Sequence, residues 1–309
     1  MEEKPSRAGV LLALLAVYLI WGSTYLAGKL ALQSYPPMVM GAVRFALAGG
    51  CLYVFARFRG EAPPTRRQWA YAAAIGALLF VCGSGLVAFA QQRVDSGLAA
   101  IMVAAMPLWA GVFGGVFGTW PSRSEWASLA LGIAGVILIN LDANLRANIP
   151  SALALVASPM LWAFGSVWSR RVDLPRGFMA SAAMMLTASL LFAVLAGSSW
   201  ATLQRPTVTA TAALLYLILF GSLVGFSAYQ YLLSRTHPAV ATSYAYVNPV
   251  IAVLLGVFLG RERLTPHALA GGILVSAAVA WVVAGRRPQP QSVAGAGHED
   301  PQRDPRGRP

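Results

Sequence analysis

The sequence predicts an all-α membrane protein with ten transmembrane helices, arranged as an inverted repeat of two five-helix halves with both termini in the cytoplasm. Three observations lead to this prediction: an apolar composition, the regular recurrence of long apolar segments, and a repeat within the chain. Hydrophobic residues make up 57% of the 309 residues and charged residues 11%, whereas soluble domains carry about 25% charged residues. So few charges cannot cover a water-exposed surface, and lipid is the expected solvent for most of the chain.

The apolar segments are each long enough to cross the hydrocarbon core of a bilayer as a helix. We predict spans at residues 9–28, 38–56, 69–90, 97–118, 125–141, 151–169, 177–197, 208–232, 239–260 and 267–284. The first is interpreted as a span rather than a signal peptide, because the apolar run is too long and no small-residue cleavage site follows. The tail at residues 285–309, rich in Pro, Gln, Gly and charge, is expected to be disordered.

The distribution of lysine and arginine predicts the orientation. With both termini inside, the cytoplasmic segments hold thirteen basic residues, leaving out the far tail, and the outside loops hold six. An excess of basic residues marks cytoplasmic loops, so the bias favours this arrangement and an even number of helices. The net charge of +12 is interpreted in the same way, because no basic helix or aromatic-basic stripe indicates nucleic-acid binding.

An internal repeat relates two proposed domains, at residues 9–141 and 151–284. Trp21 precedes Lys29 by eight residues, and Trp162 precedes Arg170 by the same eight. At an offset of 142 residues the aligned pairs are Ala99 and Ala241, Pro107 and Pro249, Ala110 and Ala252, Gly114 and Gly256, and Gly118 and Gly260. Because five helices per half is an odd number, the halves must insert with opposite orientations, as in many alternating-access transporters.

Three stretches resemble the EamA family of the drug/metabolite transporter superfamily. They are WGSTY at residues 21–25, WAFGSVWSR at 162–170 and AVATSYAYVNPVIAVLLG at 239–256, and the resemblance covers residues 9–284. It implies a central substrate cavity, a multi-pass location in the bacterial inner membrane, and export of metabolites, amino acids or drug-like compounds. The family often has an acidic residue after helix four and another after helix nine. Glu262 fits the second, but Trp120 occupies the equivalent first position, so the first copy is missing or shifted to Glu125.

Arg44 is the ionisable residue that lies well inside a predicted span. An arginine at a helix centre costs about 2.5–3.5 kcal/mol on insertion scales, so it is expected to face the bundle or a cavity. One interpretation is an anchor for a substrate carboxylate. The other is that Arg44 extends its head toward the interface or pairs with helix ends.

Pro107 and Pro249 lie in the middle of predicted helices, where proline removes a backbone hydrogen bond and frees the carbonyl of Val103 or Ala245. They are predicted to break or gate the helices along the substrate path, and the alternative is a kink that serves packing alone. A small-xxx-small spacing lets helices approach closely, and packing within the chain is favoured over a homodimer seam for Gly114, Gly118, Gly256 and Gly260.

Aromatic and polar side chains within the apolar segments are the other candidates for the substrate path. A cavity that stacks on flat, amphipathic molecules is one interpretation, and an interfacial belt or core packing is the other. The candidates are Trp21, Ser23, Tyr25, Trp162, Tyr244, Tyr246 and Asn248.

Several other classes of function are disfavoured. No Asp, Glu or His lies deep in a predicted helix, so the sequence offers no membrane carboxylate for a proton relay. An intramembrane enzyme lacks its nucleophile and base, since no histidine accompanies Ser84. Cys51 and Cys82 have no metal-ligand spacing, and no cofactor or metal is predicted. A non-transporting receptor or structural protein remains the alternative to a transporter, with the lipid bilayer and a small molecule as the expected partners.

Overall fold

Helices dominate the fold. The computed structural model describes residues 7–118, 120, 122–141, 148–203, 205–235 and 244–285, and within these ranges the chain contains helices and no β-strand. The helices of residues 7–141 are α1 (Arg7–Ala31), α2 (Pro37–Phe58), α3 (Arg66–Gln91), α4 (Ser96–Val116) and α5 (Arg123–Asn140). Those of residues 148–285 are α6 (Ile149–Ser169), α7 (Gly177–Ala196), α8 (Val208–Tyr216, Leu217–Val224 and Gly225–Arg235 in succession), α9 (Tyr244–Phe258) and α10 (Pro266–Gly285).

Seven helical segments of the described chain are long and apolar enough to cross a membrane: those of α1, α2, α3, α4, α6, α7 and α8. Shorter apolar helices lie at Trp126–Gly135, Val247–Phe258 and Pro266–Ala278. The all-helical class is therefore confirmed, while ten spans and the inside location of the termini stay predictions. The start of the predicted span 239–260 and the tail from residue 286 lie outside the described residues.

Local sequence explains where several helices begin. Thr65 accepts from the backbone N–H of Gln68, whose side chain accepts from Thr65 in return, so a capping box starts α3. Asn148 and Thr207 are the N-cap residues of α6 and α8, and their side chains accept from the backbone N–H groups of Ser151 and Ala210. Proline is the first residue of α2, where its missing N–H would have no partner in any case.

Two helices contain π-helical segments that the sequence analysis did not predict. They are Ala77–Gly85 in α3 and Leu217–Val224 in α8. A third departure is in α4, where the α-helix ends at Val103 and resumes at Met106, one residue before Pro107. Pro107 thus lies in the first turn of the second segment, where its missing N–H costs no hydrogen bond, and its gating role stays a prediction. Pro249, by contrast, lies buried inside a continuous α9.

Helices from residues 7–141 pack mainly on helices from residues 148–285. Contacts are most extensive between α2 and α7 and between α5 and α10, and α1 lies against α8 and α9. The helices α3 and α4 pack against α6, and α4 also meets α9. The two parts therefore interleave, and large apolar side chains cover the outside, among them Leu12 at 67% exposed and Val194 at 79%. Such an outer surface is expected where lipid replaces water.

Glycine permits the closest part of the α2–α7 contact. A Cβ added to Gly49 would lie 2.9 Å from Cβ of Met185 and 3.0 Å from the backbone nitrogen of Leu186. A Cβ on the adjacent Gly50 would meet no heavy atom within 4 Å. The two neighbouring glycines thus form a matched pair, one in the interface and one outside it.

We expect Gly49→Ala to lower the thermal stability of the detergent-solubilised protein. Overpacking costs about 1–3 kcal/mol, which outweighs the gain of about 1 kcal/mol that alanine brings to a helix. Gly50→Ala receives the gain without the clash and should melt at the wild-type temperature or above. Equal shifts for the two variants would show that this contact does not limit the α2–α7 packing.

Candidate functional site

A cavity lies in the middle of the bundle, between helices of both parts of the chain. Its volume is about 140 Å³, which is below the roughly 300–1,000 Å³ of pockets that hold drug-sized ligands. Six of the candidates named from the sequence line it, namely Trp21, Tyr25, Arg44, Trp162, Tyr244 and Asn248. The walls also include the rings of Phe45, Phe80 and Phe226.

Arg44 supplies the positive charge of this cavity. Its Nε donates to Oγ of Ser222 on α8 at 3.0 Å, and its guanidinium carbon lies 5.0 Å from the ring centre of Phe45. Ion pairs among the described side chains involve Lys29 only, so no carboxylate in that part of the chain pairs with Arg44. No acidic residue is among the residues that line the cavity. The guanidinium is thus held in place by a neutral hydroxyl and an aromatic face, without a counter-ion from these residues.

Trp21 anchors an aromatic cluster at one wall. Its Nε1 donates to the carbonyl of Gly221 at 3.1 Å. Its ring centre lies 5.3 Å from that of Phe226, 5.2 Å from that of Tyr229 and 4.8 Å from that of Tyr244. Aromatic pairs at such distances stabilise one another beyond their buried area. The cluster therefore presents a rigid apolar surface to the cavity.

Trp162 of α6 packs against the π-helical segment of α3, and its ring covers Gly83. The carbonyl of Gly83 accepts from Oγ of Ser158 at 3.0 Å, just as the carbonyl of Gly221 accepts from Trp21. Each π-helical segment therefore offers a carbonyl to a side chain of a neighbouring helix, a use typical of π-bulges at functional sites. Gly83-Ser84 and Gly221-Ser222 are the sequence signal that could have indicated these segments.

Two candidates from the sequence do not belong to the described cavity. Oγ of Ser23 contacts the hydroxyl of Tyr216 at 2.6 Å and donates to the carbonyl of Ile20, so it faces α8 and not the cavity. The side chain of Tyr246 lies outside the described residues. Ser23 was predicted to lie on the substrate path, but the apolar sequence of a helix does not determine which polar side chain faces the cavity.

The paired glycines have unlike surroundings. Gly118 has a φ of +96° at the end of α4, and a Cβ there would meet nothing within 4 Å. Gly256 lies against the carboxylate of Glu262, and Gly260 lies against Leu26 of α1. Gly118 thus serves a turn rather than close packing, whereas Gly256 and Gly260 make close contacts within the chain. The sequence repeat does not by itself fix a common role.

A cluster of charges that the sequence analysis did not predict lies beside the cavity. Nζ of Lys29 donates to Asp95 and, at 3.0 Å, to Oε1 of Glu262. The carboxylate of Glu262 also accepts from the backbone N–H of Ser96 at 2.9 Å and of Gly97 at 3.1 Å. Burial alone would raise the pKa of Glu262, but these N–H groups and Lys29 outweigh it, so the pKa lies below its usual value. Glu262 is therefore ionised at neutral pH.

In the part of the chain that the structure describes, no three His, Cys, Asp or Glu side chains are placed to hold a metal ion. The chemistry of the cavity is that of a binding site, with one cation, a few hydroxyl and amide groups, and many aromatic rings. It can hold an organic molecule by stacking and by one charge-assisted contact.

Comparison with known proteins agrees with this arrangement. The EamA-like transporter family matches residues 7–141 and again residues 149–284. The uncharacterized inner membrane transporter YedA of Escherichia coli (strain K12) is 43% identical over 86% of this chain and 88% of its own length. The uncharacterized transporter YvbV of Bacillus subtilis (strain 168) is 24% identical over 91% of this chain and 93% of its own length.

Two further relatives extend the comparison. A probable amino-acid metabolite efflux pump of Salmonella typhimurium is 26% identical over 88% of this chain and 93% of its own length. A solved crystal structure superposes on this chain with a TM-score of 0.61 at 19% identity, covering 89% of this chain and 97% of the other. The latter likeness shows the fold alone.

The resemblance to the EamA family is thus confirmed. The family match, the 43% identity to an inner membrane transporter and the apolar helices identify a multi-pass protein of the bacterial inner membrane. The chain belongs to the EamA-like transporter family.

Proposed function

We propose that the chain exports small metabolites, amino acids or drug-like compounds through the described cavity by alternating access. The observation that carries this proposal is the position of Arg44, whose guanidinium faces a largely aromatic cavity between the two parts of the chain. The name of the Salmonella relative, a probable amino-acid metabolite efflux pump, supports export as the direction.

The packing supports two inverted halves, at residues 9–141 and 151–284, with ten spans in all. Trp21 lies against Gly225, and Trp162 lies against Gly83. At the offset of 142 residues, Gly83 is equivalent to Gly225, and Trp21 is equivalent to position 163, one residue from Trp162. The contact between Trp21 and Gly225 is therefore the repeat equivalent of the contact between Trp162 and Gly83. The π-helical segments begin at Ala77 and Leu217, 140 residues apart, and occupy matching places in α3 and α8. A pair of inverted halves that rock around a central site is the usual basis of alternating access.

The cavity walls support a substrate with one anionic group and an apolar body. An arginine can hold a carboxylate through two parallel hydrogen bonds, and such charge-assisted bonds are stronger in a water-poor cavity than in water. The rings of Trp21, Phe80 and Trp162 would receive the apolar part. Zwitterionic amino acids with apolar side chains have this composition, and their decarboxylated amines do not.

A growth screen gives the first test. Cells that overexpress the chain should resist some toxic amino acids, amino-acid analogues or drugs that inhibit control cells. Compounds found in this way then serve as substrates for flux measurements in proteoliposomes. Absence of resistance across a broad panel, with the protein present in the membrane, would contradict export of these compounds.

Arg44 variants should separate substrates by charge. We expect Arg44→Gln to lower the flux of carboxylate substrates about 10- to 100-fold, the effect of losing hydrogen bonds to a charged group. Arg44→Lys keeps the charge but loses the planar fork, so an intermediate loss is expected. Neutral or cationic substrates should pass through Arg44→Gln about as fast as before. The measurement is proteoliposome flux normalised to folded protein.

Ser222→Ala is the matched control, because it removes only the hydrogen bond to Nε of Arg44. A smaller loss of about two- to tenfold is expected for carboxylate substrates, because the guanidinium keeps its charge and loses one hydrogen bond. Equal loss of all substrates in Arg44→Gln, or loss of protein alone, would assign Arg44 a structural role.

The prolines should matter for transport more than for folding. Pro107→Ala is expected to close the break of α4 at Ala104 and Ala105 and to stiffen the movement of the halves. Pro249→Ala should act in the same direction but less, since α9 is already continuous. Flux should fall while the melting temperature holds, and a parallel fall of both would indicate packing kinks instead.

A further inference from the structure

The charge cluster of Lys29, Asp95 and Glu262 lies at one end of the cavity. Gly28 lines the cavity, and Lys29 is the next residue along α1. Gln91 also lines it, and Asp95 follows four residues later, beyond the end of α3. The ion pairs therefore form where two cavity-lining helices end.

Three separate segments meet in the cluster. Lys29 comes from α1, Asp95 from the connection between α3 and α4, and Glu262 from the connection between α9 and α10. The sequence separation between Lys29 and Glu262 is 233 residues. The cluster thus ties the second half of the chain across the cavity end to two helices of the first half.

Glu262 also holds the start of α4. Its side chain is 5% exposed, and its two oxygens accept from the N–H groups of Ser96 and Gly97. A carboxylate at a helix N-terminus satisfies donors that have no partner within the helix and interacts favourably with the helix dipole. Ser96 is fully buried, so water reaches these N–H groups only if this end of the bundle opens when Glu262 separates.

Asp95 makes this separation reversible. Lys29 contacts two carboxylates, so it keeps one ionic partner when Glu262 leaves. The side chains of Lys29 and Asp95 are 31% and 33% exposed, so this remaining pair is partly hydrated. Lys29 would therefore not be left without an ionic partner when Glu262 separates.

We propose that Lys29, Asp95 and Glu262 form a latch that closes one end of the substrate cavity and opens during the transport cycle. The proposal rests on the transport function proposed above, but it concerns the access to the cavity rather than what the cavity binds. It makes Glu262 the moving partner and Asp95 the residue that keeps Lys29 paired in the open state.

A matched control exists elsewhere in the chain. Glu61 accepts from the backbone N–H groups of Phe178 and Met179 at the start of α7, at 3.3 and 2.8 Å. It therefore caps a helix as Glu262 does, but the ion pairs of the described residues do not include it. Neither Glu61 nor its two partners line the described cavity. Loss of a carboxylate cap alone can thus be separated from loss of the latch.

Thiol accessibility tests the latch without a known substrate. Cys51 and Cys82 are replaced by alanine, and Ser84→Cys places a thiol in the cavity wall. A membrane-impermeant methanethiosulfonate reagent is added to right-side-out and to inside-out vesicles, and the labelling rate is measured for each. Lys29→Met and Glu262→Gln should raise the rate about tenfold from one membrane face, the factor expected when a hydrogen bond to a charged group is lost. Glu61→Gln should leave the rate unchanged.

Three results would overturn the latch: an unchanged rate in Lys29→Met, an equal increase in Glu61→Gln, or an equal increase from both faces. Lys29→Met leaves the cap on α4 in place, so it remains informative if Glu262→Gln fails to fold. Flux measured on the same vesicles is a separate readout. Normal flux with unchanged labelling would reject the latch and keep the proposed transport, whereas gated labelling without flux of any screened compound would do the reverse.

Discussion

A positive charge inside an apolar helix bundle is the constraint on which the rest of this structure depends. An arginine in hydrocarbon must find polar partners or a wet cavity. Here Arg44 meets Ser222 of α8 and the ring face of Phe45, but no carboxylate among the described residues. The cavity gives the guanidinium room for a partner. If the transported molecule supplies the counter-ion, the site selects an anionic substrate.

The same constraint explains why helices from residues 7–141 and from residues 148–285 contribute to one site. Backbone carbonyls in a membrane protein can deviate from regular helix geometry only where protein or a cavity compensates them. The two π-helical segments, in α3 and α8, each meet a side chain from a neighbouring helix, Ser158 at Gly83 and Trp21 at Gly221. Irregular backbone, small residues and aromatic rings therefore come together at the level of Arg44, while the outer faces of the helices stay apolar and regular.

The sequence was sufficient for the helical class and for six of the residues that line the cavity, because both depend on local signals. Apolar length predicts helices, and a charged or repeated aromatic residue in such a helix predicts an inward position, as at Arg44, Trp21 and Trp162. It was insufficient for contacts between distant segments. The partners of Lys29 lie 66 and 233 residues away, and the rotation that turns Ser23 toward Tyr216 depends on packing across the bundle.

Ligand-induced stabilisation of the purified protein tests most directly whether the cavity needs an anion. The melting temperature is measured with pairs of ligands that differ only by a carboxylate, such as amino acids with apolar side chains and their decarboxylated amines. A ligand that binds only the folded state stabilises it by RT ln(1 + [L]/Kd), so the melting temperature rises with the logarithm of ligand concentration over Kd. We expect stabilisation by the acids, little by the amines, and loss of the difference in Arg44→Gln. Equal stabilisation by acid and amine, or a difference that survives Arg44→Gln, would contradict the role of Arg44 as the anion site.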